Sequence, residues 1–325
     1  MSLEGWTDRV VGTLQGGAVG DALGVPYEFG VRTLDGEPEM VGGGLGDYAP
    51  GQWSDDTEMA SVIAQVAATG ADLRSDEALD AVADGFVGWY QQGPADVGTQ
   101  TASVLSGQQP GPGSADRLRR RALEVHRRTG RSGGNGSLMR TGPVALAHLG
   151  DPAAVAEAAE AVSALTHWDP EAGEACAIWC LAVEAAVVTG EGDVTARMHH
   201  LRDDSSRRWI PRLEEAARLG PGAYASSNGW VVAALQGAWA AVSGTASAEE
   251  GLIAAVRGGG DTDTVAAIAG ALLGARYGGV SLRAVWRDAI HGWPGLDGND
   301  LAHLAATIAR HATTRADDRG APGRR

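Results

Sequence analysis

Apolar residues in this chain recur at the spacing of an α-helix, and runs that alternate like a β-strand are scarce. Near the N-terminus Trp6, Val10, Leu14 and Ala18 follow one another at intervals of four, which places them on one helical face. Hydrophobic residues make up 44% of the 325 residues, enough for a sizeable core. The pattern predicts an all-α fold, a single compact multi-helix domain over residues 1–312.

Signals at the ends of helices support this prediction. Asp151 before Pro152 is typical of an N-cap followed by proline at the first helical position, and Ser247 with Glu250 is typical of a capping box. Further helices are predicted near 115–128, 138–147, 170–188, 205–218, 229–242, 264–276, 281–290 and 299–311. The tail, residues 313–325, lacks apolar residues for packing and is predicted to be disordered.

The charged residues exclude several classes of protein. All 26 basic residues are arginine, so a Schiff-base lysine, a pyridoxal-phosphate lysine and a P-loop lysine are excluded. The formal net charge of −15 argues against duplex DNA or an anionic membrane as the main partner. The arginine-rich run 117–128 is interpreted as a solvated helix face. We therefore expect no nucleic-acid partner and no membrane partner.

Cysteine usage and the apolar segments point to a cytoplasmic protein. Cys176 and Cys180 are four residues apart on one predicted helical face and are interpreted as core residues. The N-terminus has neither the basic nor the apolar part of a signal peptide. The most apolar stretch, 172–189, contains Glu174 and Glu184, whereas a bilayer span needs about 20 largely uncharged residues.

Two clusters of acidic and hydroxyl residues precede predicted helices, and they lie roughly 205 residues apart. The first is GQWSDDT, residues 51–57, and the second is GGGDTDT, residues 258–264. Simple N-capping would explain one side chain in each cluster, but not four. The glycines before Asp261 indicate an irregular turn, in which Asp261 and Asp263 can converge although they are two residues apart.

If the two helix ends face each other, four carboxylates come together. Such a group repels itself unless cations intervene. Because only oxygen ligands are on offer, the expected ions are Mg²⁺ or Mn²⁺, with Ca²⁺ as a further option. Two such ions about 3.5–4 Å apart can orient an oxygen-rich substrate and activate water.

Two glycine-rich segments accompany the acidic clusters. The first, residues 16–29, allows close approach of helices or of a ligand, and it ends on a predicted loop that carries Glu28. The second, residues 133–140, forms a turn whose free backbone N–H groups could hold a phosphate without any lysine.

Together these segments resemble the ADP-ribosylglycohydrolase family, which contains dinitrogenase-reductase-activating glycohydrolases and animal ADP-ribosylhydrolases. The resemblance rests on GDALGVPYEF (20–29), WSDDTEMA (53–60), DVGTQT (96–101), GNGSLMR (134–140), THWDPEA (166–172) and GGDTDTVAAIAGALLGARYG (259–278). It implies an all-helical fold with the metal site at helix N-termini and a two-metal centre, usually Mg²⁺ or Mn²⁺, in an ADP-ribose cleft.

The resemblance also implies roles for individual residues. The implied metal ligands are Ser54, Asp55, Asp56, Asp261, Asp263 and Thr264. The implied substrate-binding residues are Gly98, Asn135, Gly136, Ser137, Met139, Arg140 and His167. The candidate catalytic residues are Glu28, Asp56 and Asp96: Asp56 or Asp96 as general base, or Glu28 as acid or base when its loop closes.

These roles predict hydrolysis of a glycosidic bond at the anomeric carbon of ADP-ribose. An acidic site favours the positive charge that develops on the sugar. The negative diphosphate would be met locally by divalent cations, backbone N–H groups and Arg140. The expected substrate therefore carries ADP-ribose, either on a protein or on a small molecule.

The sequence departs from the family pattern after His167. Members commonly continue with proline and a basic residue, whereas this chain has Trp168, Asp169, Pro170 and Glu171. Glu171 could weaken contacts with the pyrophosphate. The serine of the first cluster is more similar to that of arginine-directed and nitrogenase-related members, which slightly favours arginine as the acceptor.

This function has three alternatives. A His-Asp phosphohydrolase requires adjacent histidine and aspartate, and none of the eight histidines is followed by aspartate. A non-catalytic ADP-ribose-binding or structural member should have lost metal ligands, whereas this chain keeps all of them. A hydrolase of a small derivative such as O-acetyl-ADP-ribose remains open, and so does the identity of the leaving group.

Overall fold

The structure, a computed structural model, describes residues 3–201 and 203–320, and α-helices dominate it. In the described residues the α-helices are α1 Leu3–Gly24, α2 Asp55–Ala67, α3 Asp76–Gln91, α4 Thr99–Leu105, α5 Ser114–Thr129, α6 Gly142–Ala147, α7 Pro152–Ser163, α8 Pro170–Thr189, α9 Asp203–Ala216, α10 Val231–Ser243, α11 Ala248–Arg257, α12 Thr262–Tyr277, α13 Ala284–Ala289 and α14 Gly298–Gly320. Short 3-10 helices are Val25–Gly30, Asn135–Ser137, Met198–His200, Pro221–Tyr224 and Gly279–Ser281. Two strands of two residues, β1 His291–Gly292 and β2 Leu296–Asp297, pair antiparallel. The prediction of an all-α fold is confirmed.

Helices α1 and α12 pack against each other with almost no side chain between them. Gly12, Gly16, Gly20 and Gly24 occur at every fourth position of α1 and face α12. A Cβ at Gly16 would lie 2.2 Å from the carbonyl oxygen of Gly270, and one at Gly20 would lie 2.0 Å from that of Ala266. No side chain fits at such distances, so glycine is required for this backbone-to-backbone contact.

The contact between α1 and α12 brings the end of one helix to the start of the other. Thr262 Oγ1, in the first turn of α12, donates a hydrogen bond to the carbonyl of Gly24 at 2.8 Å. The chain then turns through Val25–Gly30, and the N–H of Phe29 donates to the carbonyl of Gly260 at 2.7 Å. Glu28 is thereby held against the N-terminus of α12.

Helix α8 forms part of the core. Within the described residues it is the one helix long and apolar enough to cross a membrane, but most of it is buried by the surrounding helices, as in the core helix of a soluble protein. Two of its three acids are paired inside the fold: Glu174 accepts from Trp209 Nε1 at 2.8 Å, and Glu184 lies 2.9 Å from Arg197. Cys176 and Cys180 are buried and free, as predicted.

The helix-end signals are confirmed, but the predicted disorder of the tail is not. Asp151 accepts a hydrogen bond from the N–H of Ala154, and Ser247 accepts one from that of Glu250. Helix α14 continues to Gly320, and Arg315 donates to the carbonyls of Gly70 and Ala147. The structure thus describes residues 313–320 as a continuation of α14. Residues 321–325 lie outside the described residues.

The glycine contact gives a test by substitution. Gly16→Ala is expected to lower the free energy of unfolding by about 2–4 kcal/mol or to prevent folding, because the new methyl group overlaps the backbone of α12. At Gly17 a Cβ meets nothing nearer than 3.7 Å, so Gly17→Ala should be neutral or stabilising by up to ~1 kcal/mol. Urea unfolding followed by circular dichroism compares the two, and equal destabilisation would contradict the packing.

His148 gives the fold a pH dependence. The side chain is 5% exposed, and its Nε2 lies 3.7 Å from Asp72, too far for a hydrogen bond. Burial outweighs the attraction of Asp72 and lowers the pKa of His148 from 6.5 to about 4. Below pH 6.5 His148 is protonated in the unfolded chain, whereas in the folded chain it stays neutral down to about pH 4. Folding stability therefore decreases as the pH is lowered from 6.5 to 4.

Between pH 6.5 and 4 we expect the free energy of unfolding of His148→Gln to decrease by about 2–3 kcal/mol less than that of the wild type. The measurement is urea unfolding at a series of pH values for both proteins, because other groups titrate in both and cancel in the difference. Parallel curves for the two proteins would rule out this role for His148.

Candidate active site

Most of the predicted site residues meet in one cleft with a volume of about 470 Å³. The cleft is formed where the N-termini of α2 and α12 approach the loops before α4 and α6. Its lining comprises Glu28, Phe29, Leu45, Asp55, Asp56, Asp96, Val97, Gly98, Thr99, Gln100, Thr101, Arg131, Gly134, Asn135, Gly136, Met139, His167, Gly229, Asp261, Asp263 and Thr264.

The first acidic cluster is held in place by Asp21, a buried residue of α1. Its Oδ1 accepts from the N–H and the hydroxyl of Ser54, at 2.9 and 2.8 Å. Its Oδ2 accepts from the N–H and the hydroxyl of Thr57, at 3.0 and 2.6 Å. Asp21 thus caps α2 from another helix and leaves Asp55 and Asp56, in the first turn, free to point into the cleft.

The second cluster converges as predicted. Gly259 and Gly260 adopt φ of 77° and 74°, which allows a sharp turn before Asp261, the N-cap of α12. Glu28, Asp261 and Asp263 each place one carboxylate oxygen within 4.8 Å of the other two. Glu28, a predicted acid or base, also belongs to this acidic group.

Two neutral amides fix the position of Asp261. Asn135 Nδ2 donates to Asp261 Oδ2 at 2.8 Å, and Asn228 Oδ1 accepts from the N–H of Asp261 at 3.0 Å. Asn135 lines the cleft as predicted, but its side-chain amide is occupied by protein acceptors.

The two clusters face each other across the floor of the cleft. Thr264 Oγ1, on α12, lies 3.4 Å from Asp56 Oδ2, on α2. The other oxygen of that carboxylate, Oδ1, is buried and has no hydrogen-bond partner in the described part of the chain. A buried carboxylate oxygen without a donor is destabilising unless something else satisfies it.

The carboxylates share an unfavourable electrostatic environment. Burial is the largest cause that raises the pKa of Asp55, Asp56, Asp261 and Asp263 above the usual range, and neighbouring acids raise the pKa of Asp55, Asp56 and Asp263 further. Burial and the charge of Asp261 raise the pKa of Glu28 to about 8. A bound cation would reverse this repulsion. The oxygen-only donor set and the unpaired Asp56 Oδ1 fit a hard divalent metal ion.

Most of the other predicted residues also line the cleft. Asp96 lies on its wall, and its Oδ1 accepts from the N–H of Val97 at 2.7 Å. Gly98 precedes α4, and Gly136 and Met139 face the cleft from the turn before α6. His167 lies beside that turn.

Three predicted residues do not reach the cleft. The hydroxyl of Ser54 is directed to Asp21 below it. Ser137 is buried and accepts from Ser163 at 2.9 Å. Arg140 is fully buried, with its guanidinium 4.3 Å from the centre of the Phe86 ring. The predictions of direct substrate contact for Ser137 and Arg140 are corrected accordingly: the 3-10 turn at 135–137 and the next residues direct these side chains into the core.

Glu171, the departure from the family pattern, also lies away from the cleft. It forms an ion pair with Arg212 at 2.8 Å. Glu171, predicted to weaken contacts with the pyrophosphate, therefore faces Arg212 and does not line the cleft.

Other lining residues were not predicted. Arg131 contributes a cation to the wall, and Phe29, 60% exposed, lies at the mouth. The capping role of Asp21 was not predicted although this residue is part of the GDALG segment. An acid within a helix is usually interpreted as a solvent-facing residue. The four donors to Asp21 are about 33 and 36 residues away in sequence.

Comparisons with known proteins agree with this geometry. The sequence model of the ADP-ribosylglycohydrolase family matches residues 2–318. The chain is 30% identical over 288 residues to the ADP-ribosylarginine hydrolase Tri1 of Pseudomonas putida (strain GB-1), covering 86% of this chain and 73% of that protein. It is also 30% identical over 286 residues to the ADP-ribosyl-[dinitrogen reductase] glycohydrolase of Rhodospirillum rubrum, covering 86% and 89%.

A solved structure described as an ADP-ribosylglycohydrolase-related protein complex matches with a TM-score of 0.71 and 28% identity, covering 95% of this chain and all of that one. The fold and the similar proteins define a glycohydrolase enzyme. The chain belongs to the ADP-ribosylglycohydrolase family.

The structure predicts that Asp21 controls metal binding from outside the cleft. Asp21→Asn replaces one acceptor oxygen by an NH₂ group that faces donors of Ser54 or Thr57. We expect a loss of about 1–3 kcal/mol in stability and at least a tenfold loss of Mn²⁺ affinity, as for other residues that orient metal ligands. Electron paramagnetic resonance of free Mn²⁺ measures the affinity.

Asp80 provides a matched control. It caps α5 in a similar way, accepting from the N–H groups of Gly113 and Ala115 at 2.7 and 2.8 Å, but it does not line the cleft. Asp80→Asn should lower stability while leaving Mn²⁺ affinity unchanged. If both variants bound Mn²⁺ as the wild type does, the role given to Asp21 would be wrong.

Proposed function

We propose that the protein hydrolyses the bond between ADP-ribose and a protein side chain, with arginine as the favoured acceptor, and that it uses two divalent cations, Mg²⁺ or Mn²⁺. The observation that carries this proposal is the meeting of both acidic clusters on the floor of one cleft, with Asp56 Oδ1 unpaired. The relatives named above, an ADP-ribosylarginine hydrolase and an ADP-ribosyl-dinitrogen-reductase glycohydrolase, support the choice of substrate.

The acids on the floor would hold the cations. Glu28, Asp261 and Asp263 form one group of carboxylates, and Asp55, Asp56 and Thr264 lie opposite them. When bound, the cations would neutralise these carboxylates, orient the ribose hydroxyls and lower the pKa of water. The N-termini of α2 and α12 both point to this floor, where their partial positive charges favour anionic side chains.

Asp96 is the best-placed general base of the three candidates. Glu28 and Asp56 contact the acidic clusters and would be occupied as ligands. Asp96 also lines the cleft, and the hydrogen bond that it accepts comes from its own neighbour Val97. Its carboxylate can therefore take a proton from an attacking water.

The remaining walls would hold the ADP-ribose and its acceptor. The Gly134–Gly136 turn, His167 and Arg131 supply donors for the anionic diphosphate. A neighbouring groove includes Phe29 and Trp230, which are 60% and 44% exposed. Aromatic faces attract guanidinium groups, so this groove fits a modified arginine and the protein around it.

Asp263→Asn tests the metal-dependent activity. We expect a loss of roughly a thousandfold or more in kcat/KM for ADP-ribosylarginine, because the variant removes several kcal/mol of transition-state stabilisation. Helical content should be unchanged. Asp116→Asn, at an exposed site on α5, is the control and should keep full activity. An active Asp263 variant with unchanged metal dependence would refute the assignment.

Ligand binding tests the substrate independently of turnover. ADP-ribose is titrated calorimetrically into metal-free protein and into protein supplied with Mg²⁺ or Mn²⁺. Binding that appears or tightens with metal supports the proposal. The wild type is then assayed with ADP-ribosylarginine, ADP-ribosylserine and O-acetyl-ADP-ribose. Preference for O-acetyl-ADP-ribose would replace the protein substrate by the small-molecule alternative.

A further inference from the structure

Two hydrogen bonds join the buried Arg140 to the imidazole of His167 in the cleft. Arg140 Nη2 lies 2.7 Å from Thr166 Oγ1, and that hydroxyl oxygen lies 2.8 Å from His167 Nδ1. Arg140 and Thr166 are fully buried, and His167 is 3% exposed. The chain of contacts therefore runs through the protein interior, away from water.

The direction of the protons in this chain follows from the donor properties of the groups. A guanidinium can only donate, so the Thr166 hydroxyl accepts from Arg140. The hydroxyl has one hydrogen to give, and among the described residues the acceptor within reach is His167 Nδ1. Nδ1 is thus an unprotonated acceptor, and in the neutral ring the hydrogen is on Nε2.

Both ends of the chain are held rigidly. The Arg140 guanidinium lies over the Phe86 ring, and its Nη1 lies 3.4 Å from Met59 sulfur. On the other side, Gln100 Nε2 donates to the carbonyl of Thr166 at 3.0 Å. These contacts leave the Thr166 hydroxyl little freedom to change its partners.

The Nε2 edge of His167 faces the glycine turn of the cleft. A Cβ at Gly136 would lie 3.2 Å from Cε1 and 3.4 Å from Nε2 of the ring, and one at Gly134 would lie 3.4 Å from Nε2. Within residues 3–201 and 203–320, Nε2 donates to no protein acceptor. The N–H on this atom is available to a ligand.

We propose that Arg140 and Thr166 are positioning residues, which hold His167 as the neutral Nε2–H tautomer so that it donates a hydrogen bond to an oxygen of the bound substrate. The tautomer follows from this chain alone, whereas the identity of the substrate rests on the proposed function. Burial, aided by the charge of Arg140, lowers the pKa of His167 to about 3. The ring therefore stays neutral, and the contact persists, throughout the physiological pH range.

Nitrogen-15 NMR of protein labelled at histidine tests the tautomer directly and needs neither metal nor substrate. The His167 signals are assigned by their loss in His167→Gln. We expect a non-protonated Nδ1 and a protonated Nε2, with no change between pH 8 and pH 5. A protonated Nδ1, or a doubly protonated ring at neutral pH, would overturn the proposal.

Variants at position 166 test the contact with substrate. Thr166→Val removes the hydroxyl, and we expect a mixture of tautomers, about tenfold weaker ADP-ribose binding and a raised KM with little change in kcat, because ground state and transition state lose the same contact. Thr166→Ser keeps the hydroxyl and should restore both the tautomer and the binding.

The control is Thr141→Val. Thr141 is another buried threonine, and its hydroxyl donates to the carbonyl of Leu138 at 2.9 Å, away from His167. It should lose stability but keep the His167 signals and the ADP-ribose affinity. If Thr166→Val kept wild-type affinity and tautomer, the proposal would fail. If the wild type bound no ADP-ribose at all, the proposed function would fail instead, and the NMR result would still decide the tautomer.

Discussion

The active-site cleft depends on the backbone contact between α1 and α12. Gly12, Gly16, Gly20 and Gly24 fix both the distance and the register of the two helices, because a Cβ at any of them would overlap α12. This register places the C-terminus of α1 beside the N-terminus of α12, and it therefore determines where Glu28 meets Asp261 and Asp263. The same helix carries Asp21, which caps α2. One helix thus aligns both acidic clusters, although roughly 205 residues separate them.

Electrostatics explains why this arrangement favours a bound cation. Burial raises the pKa of Asp55, Asp56, Asp261 and Asp263, and neighbouring acids raise the pKa of Asp55, Asp56 and Asp263 further. Burial raises the pKa of Asp21 too, but four hydrogen bonds from Ser54 and Thr57 to its carboxylate oppose this effect. Asp56 Oδ1, by contrast, has no partner among the described residues. Asp21 is therefore a structural acid whose oxygens accept hydrogen bonds from the protein, whereas under the proposed function Asp56 Oδ1 would be satisfied by a cation.

The sequence predicted the fold and the main site because both depend on local patterns. Helical spacing gave the all-α class, and two clusters of acids at helix N-termini gave the floor of the cleft. The sequence did not predict the direction of side chains at the short 3-10 turn 135–137, where Ser137 and Arg140 point into the core. The sequence also did not reveal the role of Asp21, because its hydrogen-bond partners Ser54 and Thr57 are distant in sequence.

Arg140 was predicted to bind substrate but lies in the core, so its burial there needs a physical explanation. A cation that binds substrate needs exposure, whereas Arg140 is buried. In the described structure it forms no ion pair and its Nε lacks a hydrogen-bond partner, and burial lowers its pKa to about 10. Burying an unpaired charge is unfavourable, and the ring of Phe86 offsets only part of that. A leucine or methionine would fill the core at lower cost, but neither could donate to Thr166 and so direct its proton to His167. The physical reason for burying Arg140 is therefore that it fixes, through Thr166, which nitrogen of His167 carries the hydrogen.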